Sequence, residues 1–345
     1  MNGGPVAARV LLDVGAQGTD STTGGTTMSR ISRGVVALGA AAAVLAVAGT
    51  ALADPGHDTH TTMPGMTPAS APGGEPAVFL SAVLEGRNEV PTPGGPAVGD
   101  PHGKAVEVLR IQGDKVSYAI RWQNLGTPTA GHVHQGVTGK NGPVVIPFFA
   151  PLPATARAVT GTVTVADANL LTALRTNPGG FYANLHTAAF PGGAVRGQLH
   201  ASRPVDLNGV LRAGSLAALM DGGQEVPVAG KPPVGDPAGH ATAFLRADRN
   251  RVDYAFSWSG IGAPTEGHVH QGAVGTNGPV VVALFDAPGG LPASVTGLAG
   301  VAGPVKGNLV SQIAHHPGGF YANLHTAAFP GGAVRGQLFS TTGRH

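Results

Sequence analysis

Pro178-Gly179-Gly180-Phe181-Tyr182-Ala183-Asn184-Leu185-His186-Thr187-Ala188-Ala189-Phe190-Pro191-Gly192-Gly193-Ala194-Val195-Arg196-Gly197-Gln198-Leu199 returns without a single change at Pro317–Leu338. Self-similarity on this scale marks a duplicated structural unit. Working back from it, three shorter stretches also recur, at an offset of 136 rather than 139. Asn88-Glu89-Val90-Pro91 returns as Gln224-Glu225-Val226-Pro227. Gly131-His132-Val133-His134-Gln135-Gly136 returns as Gly267–Gly272, and Asn141-Gly142-Pro143-Val144-Val145 as Asn277–Val281. Three residues were therefore gained or lost between Val145 and Pro178. The two copies are expected over 76–202 and 212–341, with a join short enough to keep them close together.

Each copy reads as β structure. Ala105–Ile111 and Val116–Trp122 alternate apolar and polar residues around Gly113-Asp114, a hairpin signal. Their partners are Ala241–Leu245 and Val252–Trp258. Val144–Phe149, Val159–Val165, Tyr182–His186 and Ala194–Leu199 carry strand signals as well, and His132-Val133-His134 is taken as part of another strand. One short helix is predicted over Ala166–Arg175, with Asp167 in its first turn. Short strands separated by turns make the expected fold all-β: two tandem immunoglobulin-like or Greek-key sandwiches or barrels, each with at most one short helix.

The composition agrees. Only 12% of residues are charged, while 55 Gly and 29 Pro supply turns and 42% hydrophobic content supplies cores. A net charge of +2 with no Lys/Arg run leaves no sequence footprint for nucleic acid. The absence of cysteine excludes disulfides, thiolate metal sites and a lipoprotein anchor.

Ahead of the repeats, Gly34–Gly49 is an unbroken run of small and apolar residues. Arg30 and Arg33 precede it and Ala51-Leu52-Ala53 follows. This is the order of a secretory signal peptide, expected over 28–53 and starting at Met28, with 1–27 as a mis-assigned start. The mature chain then begins near Asp54, is secreted or held at the cell surface, and keeps no stable membrane anchor. Residues 54–75 lack apolar periodicity and are expected to form a flexible linker. Its His57, His60, Met63 and Met66 suit a weakly held metal ion, although a plain flexible tail is the favoured reading of them.

Three histidine pairs stand at matching positions in the two copies: His132/His268, His134/His270 and His186/His325. On a strand, His-x-His puts both imidazoles on one face, about 6–7 Å apart at Cα. A third imidazole from a neighbouring strand completes a three-nitrogen set suited to copper or zinc. Alternatively, these histidines hydrogen-bond buried backbone in a Gly-rich region, the plainer of the two readings. Other matched ionisable groups include Glu89/Glu225 and Arg196/Arg335. Glu89, like Glu225, is a candidate ligand or loop clamp; beside Val-Pro it is expected to accept backbone N–H bonds at a strand end. Arg196 is expected to pair with Glu89, or else to steer an anion. Asp100, before Pro101, reads as turn chemistry. Of Phe181 and Tyr182, one is expected in the core and the other facing out. Trp122 and Trp258 are expected in the core. No G-x-S-x-G elbow occurs, which leaves hydrolase chemistry without support.

These motifs, in both copies, resemble the CHRD domain, a module of many exported bacterial proteins. The resemblance implies an immunoglobulin-like β fold and extracellular placement. It fits a non-enzymatic binding or structural module acting on an unidentified extracellular partner. A more partial likeness is to Cu/Zn superoxide dismutase. By that likeness His132 and His134 match its His-x-His pair, His186 its later copper ligand and Arg196 its anion-steering arginine, with His268, His270, His325 and Arg335 as counterparts. It implies a copper-dependent redox protein, but the chain has no His after His134 in the following loop and no cysteine pair.

Overall fold

The structure is a computed structural model that describes residues 75–342. The expected start and leader (1–53), and all but the last residue of the expected linker, lie outside the described residues. Among the described residues no helix is long and apolar enough to cross a membrane.

The first repeat contains β1 (Val78–Glu85), β2 (Lys104–Gln112), β3 (Lys115–Gln123), β4 (Pro128–Gln135), β5 (Val144–Phe149), β6 (Ala156–Thr164), α1 (Ala168–Thr176), β7 (Phe181–Thr187), β8 (Val195–Gln198) and β9 (His200–Ala201). The second contains β10 (Leu216–Asp221), β11 (His240–Asp248), β12 (Arg251–Ser259), β13 (Pro264–Gln271), β14 (Val280–Asp286), β15 (Val295–Ala302), α2 (Gly307–His315), β16 (Phe320–Thr326), β17 (Val334–Gln337) and β18 (Phe339–Ser340). The sequence signals missed β1 and its counterpart β10.

Strands of the first repeat pair antiparallel in the row β5–β4–β7–β8/β9–β1–β2–β3–β6, and the second repeats this order. The ends of the row, β5 and β6, approach each other without pairing, so each repeat is an open sandwich rather than a closed barrel. Its interior is apolar apart from Glu107 on β2, which is fully buried. Leu80, Leu84, Leu109, Ile111, Ile120, Val133 and Leu185 have essentially no solvent exposure. Each such side chain contributes about 1.5–3 kcal/mol by leaving water.

The β2–β3 hairpin turns at Gly113-Asp114 as expected, with Gly113 at φ +56°. Helix α1 starts one residue after Asp167, which serves as its N-cap rather than sitting in the first turn. The carboxylate accepts from the Asn169 and Leu170 amides, which removes two orphan donors. In α2 the same position is Lys306, which makes no such cap. Trp122 is core, whereas Trp258 is partly buried against it.

The repeats are joined edge to edge: β6 pairs antiparallel with β15. Val159 and Leu298, equivalent residues of the two copies, face each other at the centre of this ladder. Equivalent residues meet only across a local twofold axis, as at an isologous dimer interface. The flanking contacts obey the same relation. Tyr118 Oη lies 3.3 Å from Ser294 Oγ, and Tyr254 Oη lies 2.8 Å from Thr155 Oγ1. Each tyrosine fills the space beside a glycine: a Cβ on Gly161 or Gly300 would meet its hydroxyl at 2.3 or 2.6 Å. Pairing in this way covers what would otherwise be the exposed edge of each sandwich.

Candidate metal centre

The duplicated motifs meet on one face of the β4–β7–β8 sheet. In β4, Val133 points into the core while His132 and His134 point outward, as the period of two requires. Across the ladder His132 stands opposite Asn184, His134 opposite Tyr182, and Ala130 opposite His186. Arg196 then stands opposite Asn184, and Gln198 opposite Tyr182. The outer face is therefore a continuous polar array. Residues 136–143 fold over it as a loop.

Within this array the three imidazoles converge, one ring nitrogen from each lying within 4.8 Å of the others. Ring centroids are 5.7 Å apart for His132–His134 and 5.1 Å for His132–His186. The corresponding separations for His268–His270 and His268–His325 are 5.8 and 5.0 Å. Backbone carbonyls hold two rings of each set. Nδ1 of His134 donates to Gly142 O at 3.0 Å, and Nδ1 of His186 to Pro191 O at 3.0 Å. These bonds fix the tautomer and leave each Nε2 with its lone pair. Nε2 of His134, Nε2 of His186 and Nδ1 of His132 are all buried without a hydrogen-bond partner. For His134 and His186 one ring nitrogen bonds backbone, as the plainer reading expects, while the other is left unengaged; in the second set His270 Nε2 lies 3.1 Å from Asn323 Oδ1.

Burial disfavours the charged form of the two β4 histidines and of their β13 counterparts. Burial, followed by repulsion from the neighbouring imidazoles, pushes His132 and His268 down to about 4. His134 and His270 are lowered as well, chiefly by burial. At neutral pH these four rings are unprotonated, the form that binds metal. The second set differs in detail: His268 Nδ1 lies 3.1 Å from His325 Nε2, and its other nitrogen lies 3.4 Å from Glu266 Oε2.

The second layer departs from expectation. Arg196 does not pair with Glu89; no ion pair joins them among the described residues. It is 2% exposed, lies flat over the Tyr182 ring at 3.4 Å, and donates to Asn141 Oδ1, Val137 O and Lys140 O. A guanidinium has five donors, and carbonyl and amide oxygens satisfy them here in place of a carboxylate. Tyr182 stacks in turn on His134, with centroids 4.8 Å apart. Phe181 enters the core and Tyr182 lies on the opposite face, as expected, but there it is covered by this stack and buried. Arg335, Tyr321 and His270 form the same stack. Among the described residues Glu89 accepts no backbone N–H; its Oε2 takes a bond from Asn184 Nδ2 at 3.3 Å, and its Oε1 has no partner there. Burial raises its pKa to about 7, against lowering by Asn184 and Arg196, and burial likewise raises Glu225 to about 7. The carboxyl of Glu89 fits only because Gly193 has no side chain: at φ +136°, a Cβ there would lie 2.6 Å from Oε1. Asp100 does make a turn, accepting from the His102 and Gly103 amides.

The loop is held by neutral residues that lie outside the matched ionisable set. Gln198 Nε2 reaches the Gly136, Gly179 and Phe181 carbonyls, and Asn141 Nδ2 reaches Val90 O. The signal was available, since both residues recur unchanged as Gln337 and Asn277.

No curated protein and no solved structure matches the chain. The redox alternative drawn from the dismutase likeness therefore gains no support, and a buried Arg196 engaged by loop carbonyls is not placed to steer an anion. The CHRD domain family model matches twice, over residues 80–199 and 216–338. Each match contains the whole three-histidine array with its covering loop, and the chain belongs to the CHRD-domain family, carrying the domain twice in tandem.

Proposed function

We propose that this protein is an exported, non-enzymatic binding module whose two CHRD domains each hold one copper or zinc ion between three histidines. The observation that carries the reading is the convergence of three imidazole nitrogens on one site, two of them on rings anchored by backbone carbonyls. Three nitrogen donors suit either ion, leaving a fourth position for water or a partner's ligand. The leader-like pattern of residues 28–53 supports export.

Elemental analysis of protein purified without a polyhistidine tag, after equilibration with copper or zinc and removal of free ion, tests this reading. Two ions per chain are expected, falling to one in His134→Ala and to none in His134→Ala/His270→Ala, with circular dichroism unchanged. Retention of no ion by the native protein would return the histidines to a purely structural role.

A second expectation separates the two sites. Glu266 stands where the first repeat has Ala130. Once His268 Nδ1 ligates, its Nε2–H faces the Glu266 carboxylate, and such outer partners raise ligand basicity. The second site should bind about tenfold more tightly than the first. Glu266→Ala should remove that difference in a competition titration against a chelator, while leaving the first site unaltered.

A further inference from the structure

Where the two repeats join, a cleft of about 440 Å³ opens beside the β6–β15 ladder. Five arginines line it: Arg121 on β3, Arg157 on β6, Arg212 in the connector, Arg246 on β11 and Arg251 on β12. The facing acid is Asp253, which pairs with Arg246 at 3.3 Å and with Arg251 at 3.3 Å. Even counting Asp248, which reaches Arg246 at 3.4 Å, cations outnumber anions by five to two. A chain of formal net charge +2 thus concentrates its positive charge at one place.

Two of these arginines are held in place by carbonyls. Arg121 donates through Nε and Nη2 to Val210 O, and Arg157 through Nη1 to Ala154 O and Ala156 O. Nη1 of Arg121 and Nη2 of Arg157 are left unbonded among the described residues, and the Arg212 side chain has no partner there. Prepositioned guanidinium groups with spare N–H donors are the chemistry of phosphate and sulfate recognition. Duplication alone does not explain the cluster, because the second-repeat equivalents of Arg121 and Arg157 are Ser257 and Thr296. Neither repeat possesses the site by itself.

We propose that this inter-domain cleft binds a compact polyanion: phosphate or sulfate groups clustered on a small scaffold. The cleft's aromatic linings, Trp122 and Tyr254, are buried and offer no face on which a nucleobase could stack, which argues against single-stranded nucleic acid.

The test is calorimetric titration of the full chain with tripolyphosphate and with sucrose octasulfate at fixed salt. Both should bind, and the tighter of the two identifies the natural oxyanion as phosphate or sulfate. Arg212→Ala/Arg246→Ala should weaken both at least tenfold. Arg212→Lys/Arg246→Lys, which keeps the charge but not the planar fork, should fall between. Arg87→Ala, outside the cleft, should change nothing. All of these side chains are exposed, so an unchanged melting temperature verifies folding. Absence of binding, binding unaffected by the double alanine variant, or tighter binding of a single-stranded oligonucleotide than of either probe would overturn the proposal.

Discussion

Glu107→Leu stabilises the first repeat by about 3 kcal/mol at pH 7, and the gain grows with pH. Glu107 lies on the core-facing side of β2, between Ala82 and Ile120 on the neighbouring strands, with no solvent exposure. Neither carboxylate oxygen has a hydrogen-bond partner. Burial raises its pKa from 4.5 to about 8. Between these values the folded chain keeps the proton and the unfolded chain has released it. Stability therefore falls by about 1.4 kcal/mol for each pH unit across that range. Leucine fills similar volume without a polar group to desolvate, so the variant lacks this slope. Glu89, Glu225 and the histidines titrate in both proteins and cancel in the comparison. Calorimetric melting at pH 5, 6, 7 and 8 should show the variant's advantage widening at each step, to about 5–10 °C at pH 7. An advantage independent of pH would mean that the carboxyl has found water or a partner. The second repeat has already made a similar exchange, with Ala243 at the equivalent position.

That comparison also illustrates what the sequence discloses. The repeat, the strands and the His-x-His face are legible because they depend on local period and on self-similarity, both one-dimensional properties. Position 107 lies in an alternating strand segment, and its burial follows from the period. What the period lacks is any partner for the acid, and the structure supplies none either. The Arg196 environment was misread for a different reason. Its acceptors, Asn141 Oδ1 and the carbonyls of Val137 and Lys140, sit some 55–59 residues away on a loop whose path the sequence does not specify. A charge-pairing rule then selects a matched acid, Glu89, although carbonyl oxygens satisfy the guanidinium equally well. The inter-domain arginines were invisible for the same cause: they are scattered from 121 to 251 and form no run. Only the β6–β15 ladder brings them together, and edge pairing between sandwiches leaves no composition signal.

Arg196→Ala should be the most damaging single change at the candidate metal centre, lowering stability by about 3 kcal/mol or more and weakening metal binding in the first domain alone. The guanidinium closes a stack of Arg196, Tyr182 and His134 while tying residues 137–141 down through three hydrogen bonds. Truncation leaves their acceptors buried and exposes one face of Tyr182 to a void. The damage passes to the ligand through the same loop, because Gly142 O, which fixes the tautomer of His134, is adjacent to Asn141. Asn141 also anchors Val90 O, so the segment around Glu89 loosens as well. Arg196→Lys should recover little, since an ammonium cannot reach three acceptors in one plane or lie flat on the tyrosine ring. Hydrogen exchange across 136–142, together with metal titration in a His270→Ala background, measures both consequences. Rapid exchange in the loop with at least a tenfold loss of affinity is expected. The same exchange with undiminished affinity would show that His134 is positioned by its strand alone, and that the stack serves stability rather than the metal centre.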